Sequence, residues 1–229
     1  MRLDLIIPAL DEEEAIGPVV RGFLEWRPRG ILRRVVVVDN GSTDATAARA
    51  TEAGAEVVPC VVRGYGSACL AGITHLEADP PEVVAFADGD GSDDPLDLPR
   101  LLAPIALGRA DLVIGSRVAR SRPEALTPPQ RFGNALATRL LGSLYGAVAT
   151  DLGPFRAIAW SSLMRLGMRD PDYGWTVEMQ LRAAQEGLRT TEIEVESHAR
   201  VAGRSKISGT VRGVVGAGIK ILSTLVRHA

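Results

Sequence analysis

Two acidic turns carry most of the chemistry in this chain of 229 residues. One is Asp88-Gly89-Asp90, which closes the apolar run Val83-Val84-Ala85-Phe86-Ala87. The other is Asp39-Asn40-Gly41-Ser42-Thr43-Asp44, which closes Val35-Val36-Val37-Val38. Two carboxylates at a strand end offer hard oxygen ligands to Mg2+ or Mn2+, and a cation held there bridges a diphosphate and takes up the charge on a departing nucleotide. The same turn also reads as a helix start, because Ser92, Asp93 and Asp94 precede Pro95 as capping residues do. In the second turn Asp39 is placed to accept hydrogen bonds from a nucleobase or ribose, while Ser42 or Asp44 caps the helix that follows. Arg117, Arg131, Arg204 and Lys206 lie in turns or at a helix start, where a guanidinium forks onto phosphate and lysine supplies a point charge. Each also reads as an ordinary surface charge. The loop Gly203-Arg204-Ser205-Lys206-Ile207-Ser208-Gly209, with glycine at both ends and hydroxyls between cations, describes a mobile anion-binding lid. In Tyr173-Gly174-Trp175-Thr176-Val177-Glu178, Trp175 is expected to line a sugar pocket and Glu178 to hold a hydroxyl, with a core aromatic at a helix start as the equal alternative. His75, His198 and His228 have no metal-site spacing. Neither G-x-G-x-x-G nor the P-loop pattern is present, so phosphate is not cradled in either of those ways.

These residues need a scaffold that brings two strand ends together. Residues 3–8, 35–38, 54–58, 83–87 and 112–115 read as strands, with helices expected over 45–53, 66–78 and 98–107. The acidic cluster at 11–14 suits the first turn of another helix running to 21–26. Continuous Val/Ile runs alternating with helices imply a parallel sheet covered on both faces, whose ligands sit beyond the carboxyl ends of the strands. After Arg117 the pattern changes: 121–129 is a proline-containing connection, 132–144 a helix, and 150–155 a Gly/Pro turn before further helix and strand. A helix at 178–185, a strand at 191–196 and a polar basic loop at 201–208 follow. Residues 1–208 read as one domain, with a binding half (1–117) and an acceptor half (118–208).

A chain with 46% hydrophobic residues and this length buries a substantial core without disulfides, which excludes a disordered tail and a disulfide-stapled miniprotein. The formal net charge of -2 gives no global attraction to nucleic acid, and none is expected as a partner. Cys60 and Cys69 lack zinc spacing and read as reduced core residues of an intracellular chain. No stretch supplies about 20 uninterrupted apolar residues, so no transmembrane helix is expected. In residues 209–229, Val211, Val214, Val215, Leu222, Leu225 and Val226 share one helical face opposite Arg212, Lys220, Ser223 and Arg227. That is an amphipathic basic helix, suited to an anionic membrane surface or to docking on the protein's own core or a partner subunit.

Taken in order, Ile7-Pro8-Ala9-Leu10-Asp11-Glu12, Val38 to Asp44, Asp88-Gly89-Asp90, Gly115-Ser116-Arg117, Gly153-Pro154-Phe155-Arg156 and Gly203-Arg204-Ser205-Lys206 resemble the family 2 glycosyltransferases of the GT-A fold. The polyprenyl-phosphate (dolichol-phosphate) mannose or glucose synthases are the most similar group, and the likeness spans residues 5–208. It implies an α/β nucleotide-diphospho-sugar transferase fold with a mostly parallel, Rossmann-like central sheet flanked by helices. By the same resemblance Pro8, Leu10, Glu12, Val37 and Asp39 surround the nucleoside, and Asp88, Gly89 and Asp90 serve nucleotide and metal, with Ser92 at the place of a common metal-binding glutamine. Arg117, Arg131, Arg204 and Lys206 contact phosphates. Asp88, Asp90, Arg117 and Arg131 then carry catalysis, and Arg131, Trp175 and Glu178 form the acceptor and sugar pocket. Leu10 stands where an aromatic is usual, Asn40 replaces a frequent second aspartate, and Pro154 alters the turn before Phe155. The implied reaction is inverting transfer of mannose or glucose from GDP-mannose or UDP-glucose to a polyprenyl phosphate, with Mg2+ or Mn2+. The phosphomonoester acceptor, with a second pKa of about 6, is largely dianionic at neutral pH and needs little proton removal. A saccharide or soluble acceptor, a non-catalytic nucleotide-sugar binder and a nucleotidyltransferase are the competing readings. The expected setting is cytoplasmic, peripheral on the inner face of the cell membrane, with a homodimer as a further candidate.

Overall fold

The computed structural model describes residues 1–118, 138, 139, 142 and 150–201. Among them seven strands form one sheet: β1 (Leu3–Ala9), β2 (Arg34–Asp39), β3 (Glu56–Pro59), β4 (Val83–Phe86), β5 (Leu112–Ser116), β6 (Arg156–Ala159) and β7 (Thr190–Glu194). Their order is β3-β2-β1-β4-β6-β5-β7, and every neighbouring pair is parallel except the two that include β6. The helices are α1 (Ile16–Leu24), α2 (Thr46–Glu52), α3 (Tyr65–Leu76), α4 (Leu98–Ala106), α5 (Trp160–Leu166) and α6 (Trp175–Gln185). This is the expected mostly parallel α/β sheet.

The Val/Ile runs are unbroken because both faces of the sheet are covered. Leu5, Ile7, Val35, Val37, Ala85 and Val113 pack with Ile16, Val20 and Phe23 of α1 and Leu98 and Leu101 of α4. The alternate residues Ile6, Val36, Val38, Val84, Phe86 and Ile114 pack on the other face with Cys69 and Ile73 of α3, Leu163 of α5, and Trp175 and Met179 of α6. Helix α3 lies close to the sheet because Gly72 has no side chain; a Cβ there would stand 2.8 Å from Ile6 Cγ2. Both cysteines are buried and free, as expected of core residues.

Two local expectations are corrected. The acidic cluster at 11–14 is not helical: α1 begins at Ile16, and Asp11 has a φ of 48°. Asp11 and Glu13 instead bond the neighbouring loop, as described below. Strand β6, inside the turn-helix-strand segment, is antiparallel and contains the fully buried Arg156. Among the described residues, no helix is long and apolar enough to cross a membrane. The proposed helix at 209–229 lies outside them.

Candidate active site

The chain runs from β1 outward through β2 to β3, whereas β4 lies on the opposite side of β1. The crevice between the carboxyl ends of β1 and β4 is therefore a topological switch point, where open α/β sheets bind ligands. Residues 10–12 form its β1 side and residues 88–90 its β4 side. Because β5 and β7 share that direction and β6 opposes it, Arg117, the turn at 151–155 and residues 195–201 all emerge at the same edge.

The loops after β1 and β2 are stitched together. Asp11 N donates to Ser42 Oγ (3.0 Å), Thr43 N to Asp11 Oδ1 (2.7 Å), Glu12 N to Thr46 Oγ1 (2.7 Å) and Ala45 N to Glu13 Oε2 (3.0 Å). Asp39 Oδ1 accepts from Ser42 N, and Asp44 Oδ1 from Thr46 N at the start of α2. Asn40 is buried, donating to the carbonyls of Val62 (2.7 Å) and Cys60 (3.4 Å) and accepting from Gly64 N (2.8 Å). Its amide thus ties the β3–α3 loop to the end of β2.

The turn after β4 divides its carboxylates by task. Asp94 Oδ1 accepts from Leu96 N and caps the short 3-10 turn Pro95–Asp97, so the helix-start reading holds for that residue. Asp93 turns back to Asp88 N (2.9 Å). Asp90 accepts from Ser92 N through Oδ1 (2.9 Å), and its Oδ2 lies 2.8 Å from Arg200 Nη1. The Asp88 carboxylate has neither a hydrogen bond nor an ion pair among the described residues. Burial, then the charges of Asp90 and Asp93, push its carboxyl well above the ordinary range; burial raises Asp93 to about 7. Arg117, which follows β5, gives Nε (2.8 Å) and its backbone N (2.9 Å) to Asp151 Oδ2, and Nη2 (2.9 Å) to Asp151 Oδ1. Burial alone would raise the Asp151 carboxyl, but the bonds and charge of Arg117 outweigh it and hold it below its usual value.

A family model described as glycosyl transferase family 2 matches residues 4–167. This chain belongs to that family. It is 39% identical over 214 residues to an uncharacterised glycosyltransferase of Mycobacterium tuberculosis (strain ATCC 25618 / H37Rv), covering 92% of each chain. It is 33% identical over 231 residues to an undecaprenyl-phosphate mannosyltransferase of Micrococcus luteus, covering 94% of this chain and 90% of that one. In fold it is similar to glucosyl-3-phosphoglycerate synthase of Mycobacterium tuberculosis, whose structure contains Mn2+, uridine diphosphate and phosphoglyceric acid. The TM-score is 0.80 at 23% identity, over 99% of this chain and 78% of that one.

In this family 2 glycosyltransferase, Leu10, Glu12, Asp88, Asp90, Ser92 and Arg117 fall on the loops at the edge where the crevice lies, with Asp39 at the end of β2 and Pro8 near the end of β1. Three expected residues belong to the interior instead. Val37 is fully buried in the core beneath the crevice. Trp175 is fully buried edge-to-face against Phe86, in the core position that was the alternative to a pocket wall. Glu178, also buried, accepts from Arg169 N, Asp170 N and Arg182 Nε, which commits it to holding the loop before α6. Gly89 is packed beneath the turn, where a Cβ would meet Ile16 and Ile7 at 3.3 and 3.4 Å. Arg117 reaches the site's edge with its fork occupied by Asp151. Arg131, Arg204 and Lys206 lie outside the described residues.

Sequence reading missed Asp151, the acid in the 150–155 turn, and Arg200, a cation just before the basic loop. Asp151 has a detectable signal, an acid at a turn leading into a strand. Glu192 on β7 is a third: it accepts from Thr150 N and Asp151 N and so braces the turn that presents Asp151.

Proposed function

We propose that this family 2 glycosyltransferase moves a hexose, mannose or glucose, from GDP-mannose or UDP-glucose to a polyprenyl phosphate with inversion at the sugar carbon. The observation that carries the donor half is the Asp88 carboxylate at a switch-point crevice, unpartnered among the described residues and raised by burial and then by its acidic neighbours. Removing water from such a carboxylate without a partner is costly, and a cation relieves the cost. Among the described residues no three acidic, histidine or cysteine side chains are gathered for a metal. Asp88 and Asp90 supply two carboxylates and Ser92 a hydroxyl, which fits an Mg2+ or Mn2+ ion that takes its remaining ligands from water and a diphosphate. Such an ion, when bound, supplies charge stabilisation to the leaving nucleoside diphosphate.

The chain's own groups orient the reactants. Asp39 and the Leu10–Glu12 segment face the nucleoside, and Asp151 fixes the Arg117 guanidinium at the phosphate side. Arg131, Arg204 and Lys206 are the further cations that the family resemblance supplies for phosphate. An oxygen of the acceptor phosphate forms the new bond to the sugar carbon as the bond to the donor diphosphate breaks, and nucleoside diphosphate leaves. No side chain needs to remove a proton from a phosphate that is already dianionic. In-line positioning and fixed cations lower the barrier. The relation to the undecaprenyl-phosphate mannosyltransferase supports the lipid phosphate acceptor.

The test is transfer of radiolabel from GDP-mannose and UDP-glucose, with Mn2+, into an organic-extractable polyprenyl phosphate, run beside 3-phosphoglycerate as a soluble acceptor. Label in the lipid fraction alone is expected. Label in the soluble acceptor alone, or none with either, contradicts the reading.

A further inference from the structure

Arg200 lies across the crevice between β1 and β4. Its Nη1 is 2.8 Å from Asp90 Oδ2 and its Nη2 donates to Glu12 Oε1, so one guanidinium joins the two loops that flank the switch point. The segment carrying it is clipped onto the acidic turn by His198 N to Ser92 O (2.9 Å), Val201 N to Asp90 O (3.0 Å) and a bridge between Asp93 and Ser197. Val201 sits against Gly91, where a Cβ would lie 2.6 Å from Val201 Cγ2; the φ of +79° at Gly91 independently favours glycine.

Charge at this point is uneven. Arg117 gives its fork to Asp151, and only its charge reaches Asp88 and Asp93, whereas Arg200 bonds Glu12 and Asp90 directly and adds its charge at Asp88. Arg200 Nε is buried without a hydrogen bond among the described residues. A buried donor left unmade costs free energy, so the closed contact is not arranged for stability alone. A guanidinium that strands one N–H while Asp88 has no partner is suited to exchange.

We propose that Arg200 is a further residue of the donor site, an internal cation that holds Glu12 and Asp90 together in the ligand-free protein and competes with the divalent cation for Asp90. This rests on the donor reading above and extends it. The exchange changes no covalent bond. The Arg200–Asp90 ion pair opens, Asp90 turns to the cation, and the guanidinium, held by Glu12 alone, is released more readily when a nucleotide reaches Glu12. Because one planar group spans both carboxylates, freeing either weakens its hold on the other. Metal and nucleotide therefore each bind more tightly after the other, by the same factor.

The experiment is titration of Mn2+, read as loss of the free-ion paramagnetic resonance signal, with and without UDP or GDP. It compares wild type, Arg200→Gln, Arg200→Lys and Arg63→Gln; Arg63 is an exposed cation on the same edge that bonds Gly41 O. Without nucleotide, Arg200→Gln is expected to bind Mn2+ about threefold to tenfold more tightly than wild type, as loss of a competing ion pair allows. Arg200→Lys, which keeps the charge but cannot fork across two carboxylates, falls between them, and nucleotide tightens Mn2+ binding less in both variants. Arg63→Gln stays within about twofold of wild type, since an exposed charge contributes little. Equal or weaker Mn2+ binding by folded Arg200→Gln overturns the proposal, as does an equal gain in Arg63→Gln. If the glutamine variant does not fold, the lysine variant decides by the same criterion. A wild type that binds Mn2+ but neither nucleotide contradicts the donor reading, and the nucleotide-free comparison still decides the role of Arg200.

Discussion

Asp151 and Asp93 are both buried carboxylates, and their surroundings give them opposite behaviour. Asp151 receives the fork and backbone N–H of Arg117, so its charged form is favoured despite burial. Asp151→Asn leaves the guanidinium without its counter-charge and should cost about 3–5 kcal/mol in urea unfolding. A loss under about 1 kcal/mol would mean that the pair is no stronger than an exposed one. Asp93 has no cation bound to it among the described residues, and burial raises its carboxyl from 3.8 to about 7. The folded state then holds that proton more tightly than the unfolded chain, so the ligand-free protein loses stability as pH rises from about 4 through about 7. Thermal melts between about pH 5 and pH 7.5 should show that fall, and Asp93→Asn should make it shallower, the raised Asp88 carboxyl supplying the remainder; an unchanged slope would assign the effect elsewhere. Asn40 illustrates why residue type alone misleads. Its replacement of a frequent family aspartate looks like a lost ligand, yet it must donate to two carbonyls while accepting from Gly64 N, which a carboxylate cannot do.

Elements differ in how plainly they are written. Strands β1, β2, β4 and β5 were legible as apolar runs because two-sided burial removes polar alternation. Strand β6 was not: it has four residues and opens with Arg156, whose charge reads as surface. Burial lowers that guanidinium to about 10, and it is satisfied by the carbonyls of Leu152, Gly153 and Thr176 rather than by a carboxylate. Helix α1 began later than the acids suggested because Asp11 and Glu13 bond the β2–α2 loop, a tertiary partner invisible to a local pattern. Trp175 and Glu178 had the residue types of a sugar pocket, and only packing distinguishes that from a core aromatic and a loop anchor. Helix α3 was legible, but its closeness to the sheet was not. Gly72→Ala should force Ile6 or the helix to shift and cost about 1–3 kcal/mol, measured as a lower midpoint in chemical denaturation. A neutral or stabilising result would show that the interface has slack.

Across the whole molecule, the two edges of the sheet carry charge differently. At the amino end of β1 the buried Asp4 is balanced by Arg33 (2.7 Å) and Arg34 (3.0 Å), a closed arrangement that serves stability. At the opposite edge, Asp88, Asp90, Asp93 and Glu12 outnumber the cations available among the described residues. The acidic turns revealed that edge in the sequence, and the order of motifs revealed the family. The internal pairing of Arg117 with Asp151 and of Arg200 with Glu12 and Asp90 was hidden, since it joins loops from distant parts of the chain. The imbalance is what supports the proposal that the crevice between β1 and β4 takes a divalent cation and a diphosphate. Its most direct test is a crystal of the protein grown with Mn2+ and UDP or GDP, examined for anomalous scattering from manganese. A peak within ligand distance of the Asp88 and Asp90 carboxylates, adjoining the nucleotide phosphates, is the expected result; a nucleotide bound without manganese at those carboxylates, or manganese bound elsewhere, would contradict it.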